Sequence, residues 1–529
     1  MIDLAPNHLE TVRSILAEHM PDCEVRAFGS RAKWEGQDYS DLDLAVVCED
    51  EADGRAIERL KQAFKDSDLP IRVDVLDWRV IAEDFRKAIE SDCVVVQQAP
   101  ELTTWQTVRL GSCTVINDQT YSPTEAWTYV NYLDTGNITE NRIHSLQHLE
   151  IGQDKIPVRA RRKARSGDIV YSTVRPNQRH YGLLKSIPEN LLVSTGFSVI
   201  RGKADIADTD FIYWFLSQDH IVNYLQAVAE HSTSAYPSIR PGDLASLEIS
   251  LPPIEDQRAI AGVLGALDNR IELNRRMSET LEKMARALFQ SWFVDYDPVR
   301  AKAEGRPSGL PSDLDALFPA SFEESELGEI PEGWRVCNLD DIADFTNGLA
   351  LQRFPPDGED GLPAIKIAEM RHGYTHRTGR ASAAIDSRYV VEDGDMLFSW
   401  SGSLQVVLWS HGPGALNQHL FKVTSDKFPR WFYWGWTLEH LDDFRSIAAG
   451  KATTMGHIQR HHLTNAKVVT PPMEVLRAAG GSLATLIDRH VDNAVQSREL
   501  VAQREALLPR LLSGKLRMGG AKRSVTASA

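Results

Sequence analysis

The sequence predicts a mixed α/β chain: a small mixed-sheet α+β domain, then two α/β domains separated by two long antiparallel coiled-coil helices. Three observations lead there. Near the N-terminus, helical and alternating hydrophobic patterns follow one another in segments short enough for a single small sheet. Past residue 102 the chain repeats itself in order, at a period above two hundred residues, too long for a solenoid and long enough for a whole domain. Each copy closes on a Pro-Pro dipeptide followed by apolar residues at heptad spacing. At 529 residues, 42% hydrophobic and 25% charged, the composition suits three or four domains.

The first helix is expected over 7–20, where Leu9, Val12, Ile15, Leu16 and Met20 recur at helical spacing. A strand, "EVRAFGS", ends in the Gly29-Ser30 turn, and "DLDLAVV" follows ten residues later. A period of two puts Asp41 and Asp43 on one face and turns Leu42 and Leu44 into the core. "IERLKQAF" reads as helix and "IRVDVLDW" as a further strand with Asp74 between two valines. Three carboxylates from neighbouring strands repel one another unless a cation neutralises them, and hard oxygen ligands suit Mg²⁺. Two such ions activate a hydroxyl and hold a nucleoside triphosphate, while a glycine turn lets backbone amides approach phosphates. The alternative is an Asx-type turn capped by Asp41, with Asp43 solvated.

The spacing Gly29-Ser30, ten residues, Asp41-x-Asp43, then a strand Asp74, resembles the minimal nucleotidyltransferases of the DNA polymerase β superfamily over about residues 7–98. The resemblance implies that Gly29, Ser30 and Arg31 hold the nucleotide and that Asp41, Asp43 and Asp74 bind Mg²⁺. It also implies that Asp74 serves as general base. Trp34 departs from the small residue expected after "GSRA". Some members of the family are antitoxins that adenylylate a toxin.

The repeat begins at Trp105 and again at Trp334. "GDIVYS" (167–172) answers "GDMLFS" (394–399), and "SLPPIEDQR" (250–258) answers "VTPPMEVLR" (469–477). The offset drifts from 229 to 219, so order is kept while loops vary. In the first long helix Ile260, Leu264, Leu267, Ile271, Asn274, Ser278, Leu281, Ala285 and Leu288 occupy the seam. In the second it is Leu483, Ile487, His490, Ala494, Ser497, Val501, Arg504, Leu508 and Leu511. Polar interruptions at matching depth, Asn274 with Ser278 and His490 with Ser497, point to helices that pair with each other and fix a register. A helix packed only on its own domain is the alternative.

Leu251 to Lys302, "LPPIEDQRAIAGVLGALDNRIELNRRMSETLEKMARALFQSWFVDYDPVRAK", is similar to the central conserved region of type I restriction-modification specificity subunits. The expected layout is a nucleotidyltransferase-like domain at 1–100, target-recognition domains at 101–253 and 331–472, and conserved helices at 254–300 and 473–516. A Gly/Pro/Ser-rich linker at 301–330 and a disordered tail at 517–529 complete it. The resemblance implies recognition of a bipartite double-stranded DNA target. Modification subunits using S-adenosylmethionine and motor-nuclease subunits using ATP would do the chemistry, with no catalysis by the specificity subunit itself. A helix of about 36 residues spans on the order of 55 Å, against roughly 34 Å for one DNA turn.

The most basic window, 159–179, offers Arg159, Arg161, Arg162, Lys163, Arg175 and Arg179 for phosphate contacts, or a merely solvated face. Loops ahead of each Pro-Pro offer Ser232, Tyr236 and Arg240 in one copy and Lys451, Thr453, Thr454 and His457 in the other. The net charge of -16 is concentrated: residues 1–100 hold 22 acidic against 12 basic side chains, which leaves -6 for the other 429. The runner-up function is an antitoxin-like protein adenylyltransferase that the repeats recruit to DNA or to a partner protein. Five scattered cysteines without metal-ligand spacing suggest reduced, mostly buried thiols. With no secretory leader and no run of eighteen apolar residues, a cytoplasmic location and no membrane partner are expected.

Overall fold

The structure, a computed structural model, describes residues 2–21, 23–34, 36–37, 40–48, 54–98, 105–232, 236–356, 358, 361–450 and 456–516. Two compact units emerge, Met1–Leu264 with Leu507–Ala529, and Gly265–Ala506.

The first unit opens with α1 (Pro6–His19), β1 (Glu24–Phe28), β2 (Leu42–Val47), α2 (Gly54–Lys65), β3 (Val73–Asp77), α3 (Glu83–Ser91) and β4 (Val94–Gln97). The sheet order is β3-β2-β1-β4, with β2 and β3 parallel and the other pairs antiparallel. Val12 and Leu16 of α1 and Ile57, Leu60 and Phe64 of α2 bury one face over Val25, Ala27, Leu42, Leu44 and Val75. On the opposite face Ala45 is covered by Ile81 and Ile89. The alternation in "DLDLAVV" is therefore realised: Leu42 and Leu44 are fully buried and Asp43 is not.

The cysteines depart from expectation, because Cys23 and Cys48 form a disulfide. Their pairing follows from strand register. Glu24 lies opposite Val47, so Cys23 and Cys48 are the next facing pair, with Cα atoms 4.7 Å apart. That separation suits a disulfide and a close antiparallel pair. Cys93, Cys113 and Cys337 are free thiols.

The rest of the first unit is the first repeat. Strand Gln106–Arg109 pairs antiparallel with Glu248–Leu251 at its base. Between them lie two four-stranded sheets. One orders Tyr181–Leu183, Ile169–Ser172, Phe197–Gly202 and Thr114–Ile116; the other orders Gln147–Glu150, Tyr129–Leu133, Leu191–Ser194 and Ala160–Lys163. Helix Thr209–Ser217, capped by Asp208 on the Phe211 N–H, is apolar on all sides and buries six consecutive residues. Ile260, Ala261 and Leu264 of the first long helix join this core with Leu508, Leu511 and Leu512.

The second unit reproduces the two-stranded base and both four-stranded sheets; the short hairpin Ile138–Thr139 with Arg142–Ile143 of the first repeat has no counterpart among its described residues. Arg335–Asn338 pairs with Lys467–Thr470. One sheet orders Val406–Leu408, Met396–Ser399, Leu420–Thr424 and Asp344–Asn347; the other orders Arg380–Ser382, Gly361–Ile365, Gly414–Leu416 and Val390–Val391. Each sheet of the second kind contains one parallel pair, in the same place in both copies. The repeated Gly-Asp turn explains its own recurrence. Asp168 accepts the Arg165 N–H and pairs with Arg201 at 2.6 Å; Asp395 accepts the Glu392 N–H and pairs with Lys422 at 2.7 Å. Gly167 and Gly394 hold φ near +90°, which only glycine adopts without strain.

The first long helix is Ile254–Phe289 and the second Met473–Leu512. Within the second unit they run antiparallel. Asp268 pairs with Arg504 at 2.7 Å, the Asn274 Nδ2 donates to the Gln496 Oε1 at 2.8 Å, and the Ser278 Oγ donates to the His490 carbonyl at 3.2 Å. The expected polar layer is present with one change of partner: Ser497 bonds the Asn493 carbonyl of its own helix, and Gln496 makes the contact across. Asn274 and Asn493 are buried, and the Asn274 Oδ1 and Asn493 Nδ2 lack hydrogen-bond partners among the described residues. Arg498 ties the second helix to its domain by a double contact with Asp393, both at 2.9 Å. The Phe289 ring rests on Gly435, where an added Cβ would stand 2.4 Å from it.

Candidate functional site

The carboxylate site sits on the face of the N-terminal sheet opposite α1 and α2. Asp41 immediately precedes β2, Asp43 is its second residue, and Asp74 is the register partner of Asp43 on β3. Burial, then the charges of Asp74 and Asp41, push the Asp43 carboxyl above the ordinary carboxylate range. Asp74 is engaged by Arg72 at 2.9 Å. Among the described residues no three His, Cys, Asp or Glu side chains are grouped so as to hold a metal ion in this structure. The donor set nonetheless fits a hard divalent cation in type and register, since like-charge repulsion at Asp43 is what such an ion relieves.

Gly29 closes the other side. With φ +78°, it lies so close to Asp43 that an added Cβ would stand 2.6 Å from the Asp43 Oδ2. A side chain here would collide with the Asp43 carboxylate, so only glycine lets the turn pass this close to it. Ser30 follows, half-buried. Arg31 is 6% exposed; its guanidinium donates to the carbonyls of Ser40 at 2.8 Å, Asp3 at 2.8 Å and Gln37 at 3.2 Å. It thus holds the loop between β1 and β2 in shape. Arg72 carried no sequence signal beyond standing two residues before Asp74.

In the first repeat the basic window divides. Arg162 donates to the Asn117 Oδ1 at 2.6 Å and also to the Phe197 carbonyl, and burial lowers its guanidinium pKa. Lys163 pairs with Glu125 and stands 5.1 Å over the Trp127 ring. Arg179 bonds Asp219 at 2.6 Å. These three are occupied within the domain, whereas Arg159, Arg161 and Arg175 are exposed. The structure brings Arg175 and Tyr236 together, the guanidinium 5.7 Å from the ring centre, although 61 positions separate them. The Val174–Ser238 bridge and the Arg175 N–H to Pro237 carbonyl bond join their two loops. Ser232 is half-buried and Arg240 exposed.

In the second repeat, bridge Ser401–His457 takes the place of Val174–Ser238. Around His457 gather Trp400, 6.3 Å away between rings, and Ser401, whose Oγ lies 3.0 Å from the His419 Nδ1. Trp400 and Ser401 were discoverable from the repeat, since they directly follow "GDMLFS". Lys451, Thr453 and Thr454 lie outside the described residues.

Comparison with known proteins agrees with both regions. Residues 103–283 match the family described as type I restriction modification DNA specificity domain, and residues 10–101 match polymerase beta, nucleotidyltransferase. The HindI specificity subunit of Haemophilus influenzae is 26% identical over 441 residues, 74% of this chain and 95% of that protein. The MjaIX specificity subunit of Methanocaldococcus jannaschii is 25% identical, over 62% of this chain and 73% of its own length. The N-terminal part is 48% identical over 97 residues to a probable protein adenylyltransferase, MntA, of H. influenzae, covering 18% of this chain and 85% of that protein. Among the described residues no helix is long and apolar enough to cross a membrane. The N-terminal part of the chain therefore belongs to the polymerase-β-type nucleotidyltransferases, and it is followed by a type I restriction modification DNA specificity domain in a region homologous to type I specificity subunits.

Proposed function

We propose that this chain directs a type I restriction-modification complex to a bipartite double-stranded DNA target, each recognition domain reading one half, and that its N-terminal domain transfers a nucleotidyl group. The observation that carries the first part is the repetition of one base and two four-stranded sheets around unlike loops. Where the first copy offers Arg175 and Tyr236, the second offers Trp400, Ser401, His419 and His457. Equivalent positions with different chemistry suit two different half-sites. Arg159 and Arg161 are assigned to phosphates, which position the protein without reading sequence. The proposed boundaries are those of the sequence layout, residues 1–100 for the transferase and 101–516 for the specificity subunit.

No methyltransferase or nuclease chemistry is assigned to this chain. Partner modification subunits using S-adenosylmethionine and motor-nuclease subunits using ATP supply it in this proposal. The test is co-expression with a cognate methyltransferase and sequencing of methylated host DNA. A split motif with a fixed gap, appearing only with this chain, is expected; no new motif from a soluble complex refutes it.

For the N-terminal domain, Asp41, Asp43 and Asp74 would hold Mg²⁺, which when bound would neutralise phosphate charge and favour attack of a hydroxyl on the α-phosphorus of the nucleoside triphosphate, with cleavage of the α–β bond and departure of pyrophosphate. The chain's own groups do the rest. Gly29 and Ser30 present backbone amides to the phosphates of a nucleoside triphosphate. Asp74, released from Arg72, accepts the proton of the attacking hydroxyl. Asp43 packs against the Gly29 backbone, which limits where its carboxylate can lie. Replacing Asp41 and Asp43 with Asn should abolish nucleotidyl transfer and leave target methylation unchanged. Loss of methylation from a folded variant would overturn this division of labour.

A further inference from the structure

Single exposed apolar side chains are ordinary on protein surfaces, so exposure alone assigns nothing. Val158 is set apart by where it stands. It is 82% exposed and, with exposed Arg159, forms the tip of a β-turn closed by the Ala160 N–H on the Pro157 carbonyl at 2.9 Å. Such tips favour Gly, Pro, Asn, Asp or Ser, and a β-branched residue gains nothing there from packing. The Arg161 Nε donates to the Val158 carbonyl at 3.4 Å and braces the turn.

Backbone hydrogen bonds knit this turn to the loops that carry Arg175 and Tyr236. The Arg159 carbonyl accepts the Thr195 N–H at 2.9 Å, and the carbonyl of the next residue, Gly196, accepts the Thr173 N–H at 2.7 Å and the Thr173 Oγ1 at 2.8 Å. The Thr173 carbonyl accepts the Ile239 N–H at 2.8 Å, and the Arg175 N–H donates to the Pro237 carbonyl at 3.0 Å. Four loops from distant parts of the repeat therefore form one rim, with Val158 and Arg159 at one end of the chain of bonds and the Arg175–Tyr236 pair at the other. The second repeat knits its rim in the same way up to that first end. The Trp400 N–H donates to the His419 carbonyl at 3.3 Å and the Ile458 N–H to the Trp400 carbonyl at 3.0 Å, but Gln418, in the place of Thr195, donates to the Leu349 carbonyl at 2.8 Å. The Val158 turn thus stands where the two copies part.

We propose that Val158 reads the C5-methyl group of a thymine in the major groove of the half-site bound by the first repeat, with Arg159 on a neighbouring phosphate. This deepens, and rests on, the reading of the chain as a DNA specificity subunit. The thymine methyl is the apolar feature that a base edge offers in that groove. Val158 has no side-chain donor or acceptor, so its contact distinguishes bases through that methyl.

The test uses the full-length chain in complex with a cognate methyltransferase. Methylated host DNA is sequenced for wild type, Val158→Ala and Arg159→Ala, and binding is then measured to duplexes in which each thymine of the motif in turn is replaced by uracil, which removes only the methyl group. Val158→Ala should relax one A·T position in one half of the motif and leave the other half and the gap as in wild type, a change of base preference that a merely structural role would not produce. Arg159→Ala should weaken binding at every sequence alike and keep the motif. Uracil at the relaxed position should weaken wild-type binding about fourfold, the worth of one buried methyl, and should leave Val158→Ala unaffected. An unchanged motif with Val158→Ala, relaxation at a G·C pair, or a relaxed position insensitive to uracil overturns the contact. If wild type yields no motif from a soluble complex, the specificity reading itself fails, and the role of Val158 with it.

Discussion

Two asparagines buried in the helix pair should be worth more removed than kept. Asn274 and Asn493 are 0% and 1% exposed, and each leaves one amide atom without a hydrogen-bond partner among the described residues. A buried polar atom left unpaired costs about 1–3 kcal/mol, so the two together cost about 2–6 kcal/mol. Against this stands one contact, from the Asn274 Nδ2 to Gln496 at 2.8 Å, worth about 1 kcal/mol net; Gln496 is exposed and finds water when released. Repacking two leucines into the seam takes back a further fraction. The double variant Asn274→Leu, Asn493→Leu should therefore gain about 2 kcal/mol, which for a unit of this size raises the midpoint of thermal unfolding by about 4–8 °C. Scanning calorimetry of the full chain reads this directly. The same variant should lose register discrimination, because leucine fits opposite any seam position. A double variant less stable than wild type by 1 kcal/mol or more would refute the claim that these amides are retained for specificity at a cost in stability.

Three further outcomes are expected. Glu272 is held down to about 2 from an ordinary 4.5 by hydrogen bonds and charge from Arg275 and Arg276. Its folded-state pKa is depressed, so its contribution is present above pH 4.5 and fades as pH falls toward 2. With Glu272 a third exposed, Glu272→Gln should cost only a few tenths of a kcal/mol at pH 7, and urea titrations should converge with wild type near pH 2. Asp43 is raised, the opposite sign: its ionised form destabilises the fold at neutral pH. Asp43→Asn should modestly stabilise the N-terminal domain at pH 7 while abolishing transfer, and the gain should shrink as acid protonates wild-type Asp43; a destabilised variant counts against the repulsion argument. Gly435→Ala drives a methyl into the Phe289 ring and should cost about 1–3 kcal/mol in the second unit, read as a lower unfolding midpoint, whereas an unchanged midpoint would show that the ring shifts freely.

Much of this was legible because the signal was periodic or repeated. Leu42 and Leu44 announced the buried face of β2, and the paired "GDIVYS" and "GDMLFS" strands located equivalent sheets before any coordinates. The polar layer between the helices was legible in kind, through Asn274, Ser278 and His490, but not in every partner. Gln496 and Asn493 stand off the heptad seam by one position, where a strict seven-residue count does not look. Side chains that bond to carbonyls left no trace. Arg31, which the resemblance places among the nucleotide-binding residues, donates to the carbonyls of Asp3, Gln37 and Ser40, contacts that any residue type supplies. Arg162 and Arg179 looked like a basic surface because their partners, Asn117 and Asp219, lie 45 and 40 positions away. The Cys23–Cys48 pair escaped a search for short cysteine motifs; it needed the register of β1 against β2.

The two-stranded base of each repeat has a consequence for how such a protein changes. Gln106–Arg109 lies against Glu248–Leu251, and Arg335–Asn338 against Lys467–Thr470, so each domain leaves and rejoins the chain at a single clasp. Everything between is an excursion whose two ends are already fastened together. Genetic exchange that cuts at the clasps can replace the whole excursion with a differently looped one, and the helices beyond see the same pair of strands as before. Under the proposed function, one recombination event at the clasps would exchange a half-specificity with no intermediate in which the scaffold must be rebuilt.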